Sequence, residues 1–213
     1  MEEELYQRIW ANQNSDGSIN VDPGSRVALA LKLLDSGDRF LDIGCGAGTL
    51  CHAVKDRFKD IYGVDISENA LDIAKKYCTN TSKVNLNVER LPFEDGYFDA
   101  VACLDVIEHL FDPVCLLEEI GRVLKNDGVL VISAPNIRYW RHLSSLVIKG
   151  RFPKTSSDSR HYDGGHLHYF TFKDLDEMLK YHGFSTVKRR GVFGRDMFME
   201  ILSPGIVIKS VKL

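Results

Sequence analysis

The sequence predicts an α/β protein built on a doubly wound, mostly parallel sheet. Three observations carry that expectation. In Phe40-Leu41-Asp42-Ile43-Gly44-Cys45-Gly46-Ala47-Gly48-Thr49-Leu50 an apolar run ends in three glycines at alternate positions, and an amphipathic segment follows. This is the pattern of a buried strand, a tight turn and the first turn of a helix. Gly63-Val64-Asp65 closes a second apolar run, with Asp65 lying 21 residues after Gly44. Strand-like and helix-like segments then alternate along the chain, which implies parallel strands joined by right-handed crossovers. Glycine suits the turn because it takes positive φ at little cost, and a missing side chain lets a ligand lie against the backbone. The N–H groups at the start of the following helix would meet the ligand's polar end.

The elements follow in order. Residues 3–12 read as a short helix with Leu5, Ile9 and Trp10 on one side, and residues 14–24 as a loop rich in Asn, Asp, Ser and Gly. Residues 25–34 read as a helix, with Val27, Leu31 and Leu34 at helical spacing and Gly37 as the stop. Strands are expected at 39–43 and 61–64, with a helix over 49–58 between them. Ser67 caps a helix to about Cys78, with Glu68 in its first turn. The alternation of Val84, Leu86 and Val88 predicts a third strand over 84–88, and 100–104 a fourth. Asp112-Pro113 opens a helix with Leu117, Ile120, Val123 and Leu124 as its buried stripe. Asn126-Asp127-Gly128 ends it, before a fifth strand at 129–133. A helix at 172–182 and strands at 185–190 and 198–202 complete the reading. The tail from Ser203 has no assignment.

The 213 residues suit one domain, 1–213, with a sizeable core. A hydrophobic content of 44% with 27% charged residues is that of a soluble globular protein, and a net charge of −3 gives no nucleic-acid signature. The five cysteines (Cys45, Cys51, Cys78, Cys103, Cys115) are odd in number and form no C-x-x-C pair. That argues against a zinc site or disulfide framework and for a reducing, cytoplasmic setting. The acidic start Met-Glu-Glu-Glu lacks the apolar core of a signal peptide, and no apolar run is long enough to span a membrane.

The third glycine falls at Gly48, so the turn is G-x-G-x-G and not the dinucleotide G-x-G-x-x-G, and Asp42 stands two residues before the first glycine. Leu91-Pro92-Phe93 and Phe98-Asp99 flank the loop before the fourth strand. In these features the chain resembles the class I S-adenosylmethionine (SAM)-dependent methyltransferases of type 11/23, from about Arg39 to Pro135. The resemblance implies a Rossmann-like sheet of seven strands with helices on both faces, the last two strands forming an antiparallel pair at the edge. It also implies a lid insertion over 136–171 after strand 5, and an N-terminal segment, 1–24, that closes over the site, with Tyr6 and Trp10 available either for that or for plain packing. SAM would be the donor and S-adenosylhomocysteine the product.

Each handle of SAM then finds a match. Its amino-acid end would meet backbone groups of Gly44, Cys45 and Gly46 and of the Cys103-Leu104 turn, with Gly48 closing the loop and Asp42 reaching the ammonium. Asp65 would pair with the ribose diol, since an acidic residue about 20 positions after a glycine turn accepts from ribose hydroxyls. The adenine would sit between Ile66 and Asn87-Val88, Asn87 standing where the family usually has an acid. In Asp105-Val106-Ile107-Glu108-His109, Glu108 is expected as a wall of the site and His109 as a candidate base.

The lid supplies Asn136, Tyr139, Trp140, His161, His166 and His168 as acceptor-binding candidates for a small molecule. No metal is expected: His166-Leu167-His168 is a weak spacing with no acidic ligand tied to it. The lid is also similar to the MetW-like group of methionine-biosynthesis proteins, which implies an alternative role as a SAM-binding partner protein supporting homoserine acylation. Between Ile137 and Arg160 six Lys/Arg face one acid, Asp158, while Trp140, Leu143 and Val147 share a helical face. That pattern is by default a solvated lid face; it equally suits attraction of an anionic acceptor, or peripheral contact with an anionic membrane or a partner and hence a lipid or quinone acceptor.

Overall fold

The computed structural model describes residues 21–156, 162–193 and 199–213. The candidates Tyr6, Trp10 and His161, and the charges Asp158 and Arg160, lie outside the described residues.

The chain opens with α1 (Arg26–Leu33), capped by the Ser25 hydroxyl, which accepts from the Ala28 N–H at 3.2 Å. There follow β1 (Gly37–Ile43), α2 (Thr49–Ala53), β2 (Phe58–Asp65), α3 (Glu68–Ala74), β3 (Asn80–Lys83) and β4 (Phe98–Leu104). Next come α4 (Pro113–Val123), β5 (Leu124–Pro135), α5 (Trp140–Val147), α6 (Phe172–Tyr181), β6 (Phe184–Gly191), α7 (Met199–Leu202) and β7 (Gly205–Lys212). The strands form one seven-stranded sheet in the order β3-β2-β1-β4-β5-β7-β6. β3, β2, β1, β4 and β5 are parallel, whereas β7 runs antiparallel to both β5 and β6. The expected doubly wound architecture with an antiparallel edge pair is what the chain adopts.

Strand periodicity decides the packing. Leu41 and Ile43 of β1 face the apolar layer formed with Leu117 and Ile120 of α4 and Leu175 and Leu179 of α6. Phe40 faces the other layer, with Leu33 of α1, Leu50 of α2 and Leu71 of α3. The chain leaves β1 outward to β2 and β3, then returns to the other side as β4 and β5. The carboxyl ends of β1 and β4 therefore border the crevice where such sheets bind ligands.

Four expectations are corrected. The third strand is Asn80–Lys83, not 84–88: Thr81 and Ser82 pair with Gly63 and Val64 at the sheet edge through backbone alone, so no apolar alternation marks it. Residues 86–88 form a turn instead. The helix after the glycine turn stops at Ala53, because the chain must be back in the sheet by Phe58. β5 begins at Leu124, and Asp127, at φ 61, lies within it. The final strand is Gly205–Lys212, whose Ile206, Val207 and Ile208 are fully buried, while 199–202 is a short helix. No helix among the described residues is long and apolar enough to cross a membrane.

Candidate functional site

The glycine turn is held by its own backbone. The Gly44 and Cys45 N–H groups donate to the Val64 carbonyl at 2.8 and 3.0 Å, and the Gly46 N–H donates to Asp65 Oδ2 at 2.9 Å. The three amides expected to greet a ligand are thus already committed. The turn offers instead the bare Cα surfaces of Gly44 and Gly46, whose φ values are 70° and 51°. A Cβ at Gly44 would lie 2.3 Å from Val106 Cγ2, so glycine is what lets the ends of β1 and β4 approach.

Two cavities, each of about 170 Å³, adjoin at the carboxyl ends of the strands and share Asp105 and His109 in their walls. The first is bounded by Gly44 and Gly46, by Asp65 and Ile66 after β2, and by Leu86 and Asn87. Asp65 accepts from the Gly46 and Ser67 N–H groups, both at 2.9 Å, and burial raises its carboxyl while these donors oppose the rise. A carboxylate has about four acceptor positions, so Asp65 keeps capacity for hydroxyl donors. Asn87 Oδ1 accepts from the Phe111 N–H at 2.8 Å, which ties this wall to the turn after His109.

Other expected cofactor residues lie elsewhere. Asp42 sits behind the turn, 4% exposed, with the Cys51 thiol 3.5 Å from its Oδ2, and burial pushes its carboxyl up to about 7. Val88 is exposed, and its N–H donates to the Asn85 carbonyl. Cys45, Gly48 and Leu104 support the turn and strand end without lining either cavity. Leu91-Pro92-Phe93 precedes β4 and is pinned by Arg122, which donates to the Leu91 and Phe93 carbonyls at 2.9 and 2.7 Å.

The second cavity is polar. Arg26, Asp105, Glu108, His109, Thr155 and His166 contribute to its wall. Arg26 Nε pairs with Asp105 at 2.8 Å, and Asp105 adopts φ 54 to accept from the Ser133 hydroxyl at 2.8 Å. Positive φ at a non-glycine residue is strained and is stored where the surroundings enforce it. Glu108 is fully buried, and burial first, then the Asp105 charge, pushes its carboxyl well above the usual range. Burial likewise lowers His109, to about 4, with His166 adding to the effect, so its imidazole is neutral at physiological pH.

The segment carrying His166 reaches this place through backbone bonds. The Leu167 and His168 N–H groups donate to the Glu108 carbonyl at 2.8 and 3.1 Å, which brings the rings of His109 and His166 to 4.7 Å. Of the lid candidates described, His166 alone lines either of these two cavities. Asn136 is buried as a clip, donating to the Glu200 and Ser203 carbonyls and accepting from the Arg138 N–H. Tyr139 and Trp140 begin α5, with Trp140 half exposed. Arg26, Asp105, Thr155 and Asp163 were not among the expected site residues. Only Asp105, three positions before Glu108, carried a local signal.

Open α/β sheets bind ligands at such a switch point, and here Asp65 stands there with acceptor capacity to spare. The methyltransferase-domain family matches residues 41–132. The chain is 39% identical over 112 residues to an uncharacterized protein of Methanocaldococcus jannaschii, covering 52% of this chain and 47% of that one. It is 28% identical over 118 residues to the ubiquinone biosynthesis O-methyltransferase of Acinetobacter baylyi, covering 53% and 50%. The chain thus spans about half the length of these curated relatives. A crystal structure of a SAM-dependent methyltransferase from Archaeoglobus fulgidus superposes with a TM-score of 0.67 at 21% identity, over 98% of this chain and 99% of that one. Over residues 41–132 the chain is thus similar to methyltransferase domains, and its sheet has the order found in the class I SAM-dependent methyltransferases.

Proposed function

We propose that this protein transfers a methyl group from SAM to a small-molecule acceptor. The observation that carries the reading is the pair of cavities meeting at Asp105 and His109, one suited to a nucleoside and one to a polar acceptor. The residues fit the cofactor: Asp65 provides a carboxylate for the ribose diol, and Ile66, Val84 and Leu86 provide apolar walls for the base. When bound, SAM supplies an electrophilic methyl on a sulfonium. The chain's own task is then alignment, which can contribute about 7–11 kcal/mol to the barrier. Glu108, whose carboxyl burial pushes well above the usual range, and neutral His109 form the wall on the acceptor side.

Calorimetric titration with SAM and S-adenosylhomocysteine, with NAD as control, tests this reading. Micromolar binding of both adenosyl ligands and none of NAD is the expected result. Failure of both to bind would sink it.

A second reading concerns where the acceptor is met. No residue of α5 is buried, and Leu146, Val147, Ile148 and Phe152 are exposed beside Arg141, Lys149, Arg151 and Lys154. That combination supports contact with an anionic lipid surface and an acceptor drawn from it. Flotation with liposomes containing phosphatidylserine is expected, and flotation equal to that with neutral lipid would remove the reading.

A further inference from the structure

Glu108 is the buried group whose chemistry is least accounted for. Neither of its carboxylate oxygens accepts a hydrogen bond from another described residue. Leaving a buried polar group unsatisfied costs roughly 1–3 kcal/mol, so a partner for it is worth seeking. The nearest ligating side chains are two imidazoles. One carboxylate oxygen of Glu108 and one ring nitrogen each of His109 and His166 lie within 4.8 Å of one another.

The rings are held as ligands are held. Thr155 Oγ1 lies 2.6 Å from His166 Nδ1 and 2.8 Å from Asp163 Oδ2. The Thr155 hydroxyl has one proton, which it donates to the Asp163 carboxylate, so it accepts from His166 Nδ1–H. That fixes the tautomer with the lone pair on Nε2. Asp163 is itself fully buried: burial works against its charge, yet hydrogen bonds from Ser156, Thr155 and Tyr169 keep its carboxyl below the usual range. The His109 ring is anchored by a hydrogen bond with the Gly165 backbone. Anchoring one ring nitrogen through a hydroxyl, carboxylate or backbone carbonyl is how proteins orient metal-binding histidines.

We propose that Glu108, His109 and His166 form a binding site for a first-row divalent transition-metal ion. Around a tetrahedral ion with metal–ligand bonds of about 2.1 Å the ligand atoms stand about 3.4 Å apart. The three side chains, within 4.8 Å of one another, would draw together by at most about 1.4 Å to hold one. Two imidazoles with one carboxylate suit Zn²⁺, Fe²⁺, Co²⁺ or Mn²⁺ and leave coordination positions open. Those positions face the polar cavity, where Glu108, His109 and His166 all belong to the wall. On the methyltransferase reading, on which this clause rests, an ion there would take an acceptor oxygen and lower its pKa.

The test needs no SAM. Protein stripped with EDTA is titrated with CoCl₂, followed by visible absorption and calorimetry. The expected result is one equivalent bound, with ligand-field bands. Glu108→Gln and His166→Gln should weaken Co²⁺ about 100-fold or more, and Thr155→Val, a change to a positioning residue, about 10-fold. Circular dichroism confirms that each variant is folded. In the unaltered protein Mn²⁺ should broaden the ring resonances of His109 and His166 and spare those of His52 and His182, so the question is answered even if a variant fails to fold. Absence of stoichiometric uptake, equal affinity in both ligand variants, or broadening that spares His109 and His166 would overturn the proposal. Uptake of Co²⁺ by a protein that binds no SAM would keep the metal site and sink the methyltransferase reading instead.

Discussion

The two cavities share a wall and are built in opposite ways. The donor side comes from one stretch, Gly44 to Leu110, in which successive strand ends deliver a glycine turn, a carboxylate and apolar walls. The acceptor side gathers Arg26, Glu108, Thr155 and His166 from distant parts of the chain, and most of its groups are titratable. The donor side is assembled by the sheet's own register. The acceptor side depends on a few backbone bonds, chiefly those from Leu167 and His168 to the Glu108 carbonyl. A local motif therefore reports on the first cavity and says little of the second.

Substitutions can break that contrast. Glu108→Gln keeps the side chain's shape and removes a carboxyl that burial pushes well above the usual range, so stability at neutral pH should hold. Methyl transfer should nonetheless fall 10²–10⁴-fold, roughly 3–5 kcal/mol, with SAM affinity within a factor of two. Single-turnover kinetics beside calorimetry decides this, and a matched loss of SAM binding would show that the two sides are not separable.

Next in size is Gly44→Ala, which places a methyl 2.3 Å from Val106 Cγ2 at a positive φ. Conformational strain and overpacking together should cost about 2–5 kcal/mol of stability, read by urea unfolding. A loss below about 1 kcal/mol would show that β1 and β4 separate easily.

The acceptor side should also answer to pH. His109 titrates near 4 in the folded protein and near 6.5 when unfolded. As pH falls, the unfolded chain takes up its proton first, so stability present above about 6.5 is lost down to about 4. At about 1.36 kcal/mol per unit this amounts to roughly 3 kcal/mol. Urea unfolding at pH 7.5 and 4.5 should show a smaller acid loss in His109→Gln than in the parent; equal losses would remove His109 as the source.

The smallest expected effect sharpens the comparison. Asp65→Ala should weaken SAM by about 1–3 kcal/mol and leave Co²⁺ uptake unchanged, both by calorimetry. Unaltered SAM affinity would sink the ribose assignment.

What was legible in the chain follows the same division. The turn at Gly44–Gly48, the cap at Ser67 and the Asp112-Pro113 helix start were all readable, because each is a contact within a few residues. The Asp112 carboxylate accepts from the Val114 and Cys115 N–H groups, as its position implied. β3 was misplaced because an edge strand pairs through its backbone and tolerates Asn80, Thr81 and Ser82. The run Gly205-Ile206-Val207-Ile208 did carry a strand signal, β-branched and apolar, and it fills the sheet between β5 and β6.

By itself the sequence determined the doubly wound sheet and the place of Asp65 at the end of β2, because periodicity and turn chemistry act over short separations. Only the tertiary structure decided that Asp42 would lie behind the turn, that the glycine amides would be spent on Val64 and Asp65, and that Glu108 would face His166. His166 lies 57 residues beyond His109, and no local rule links them. They meet because the segment before α6 docks onto the Glu108 loop, a choice made by packing and hydrogen bonding across the whole fold.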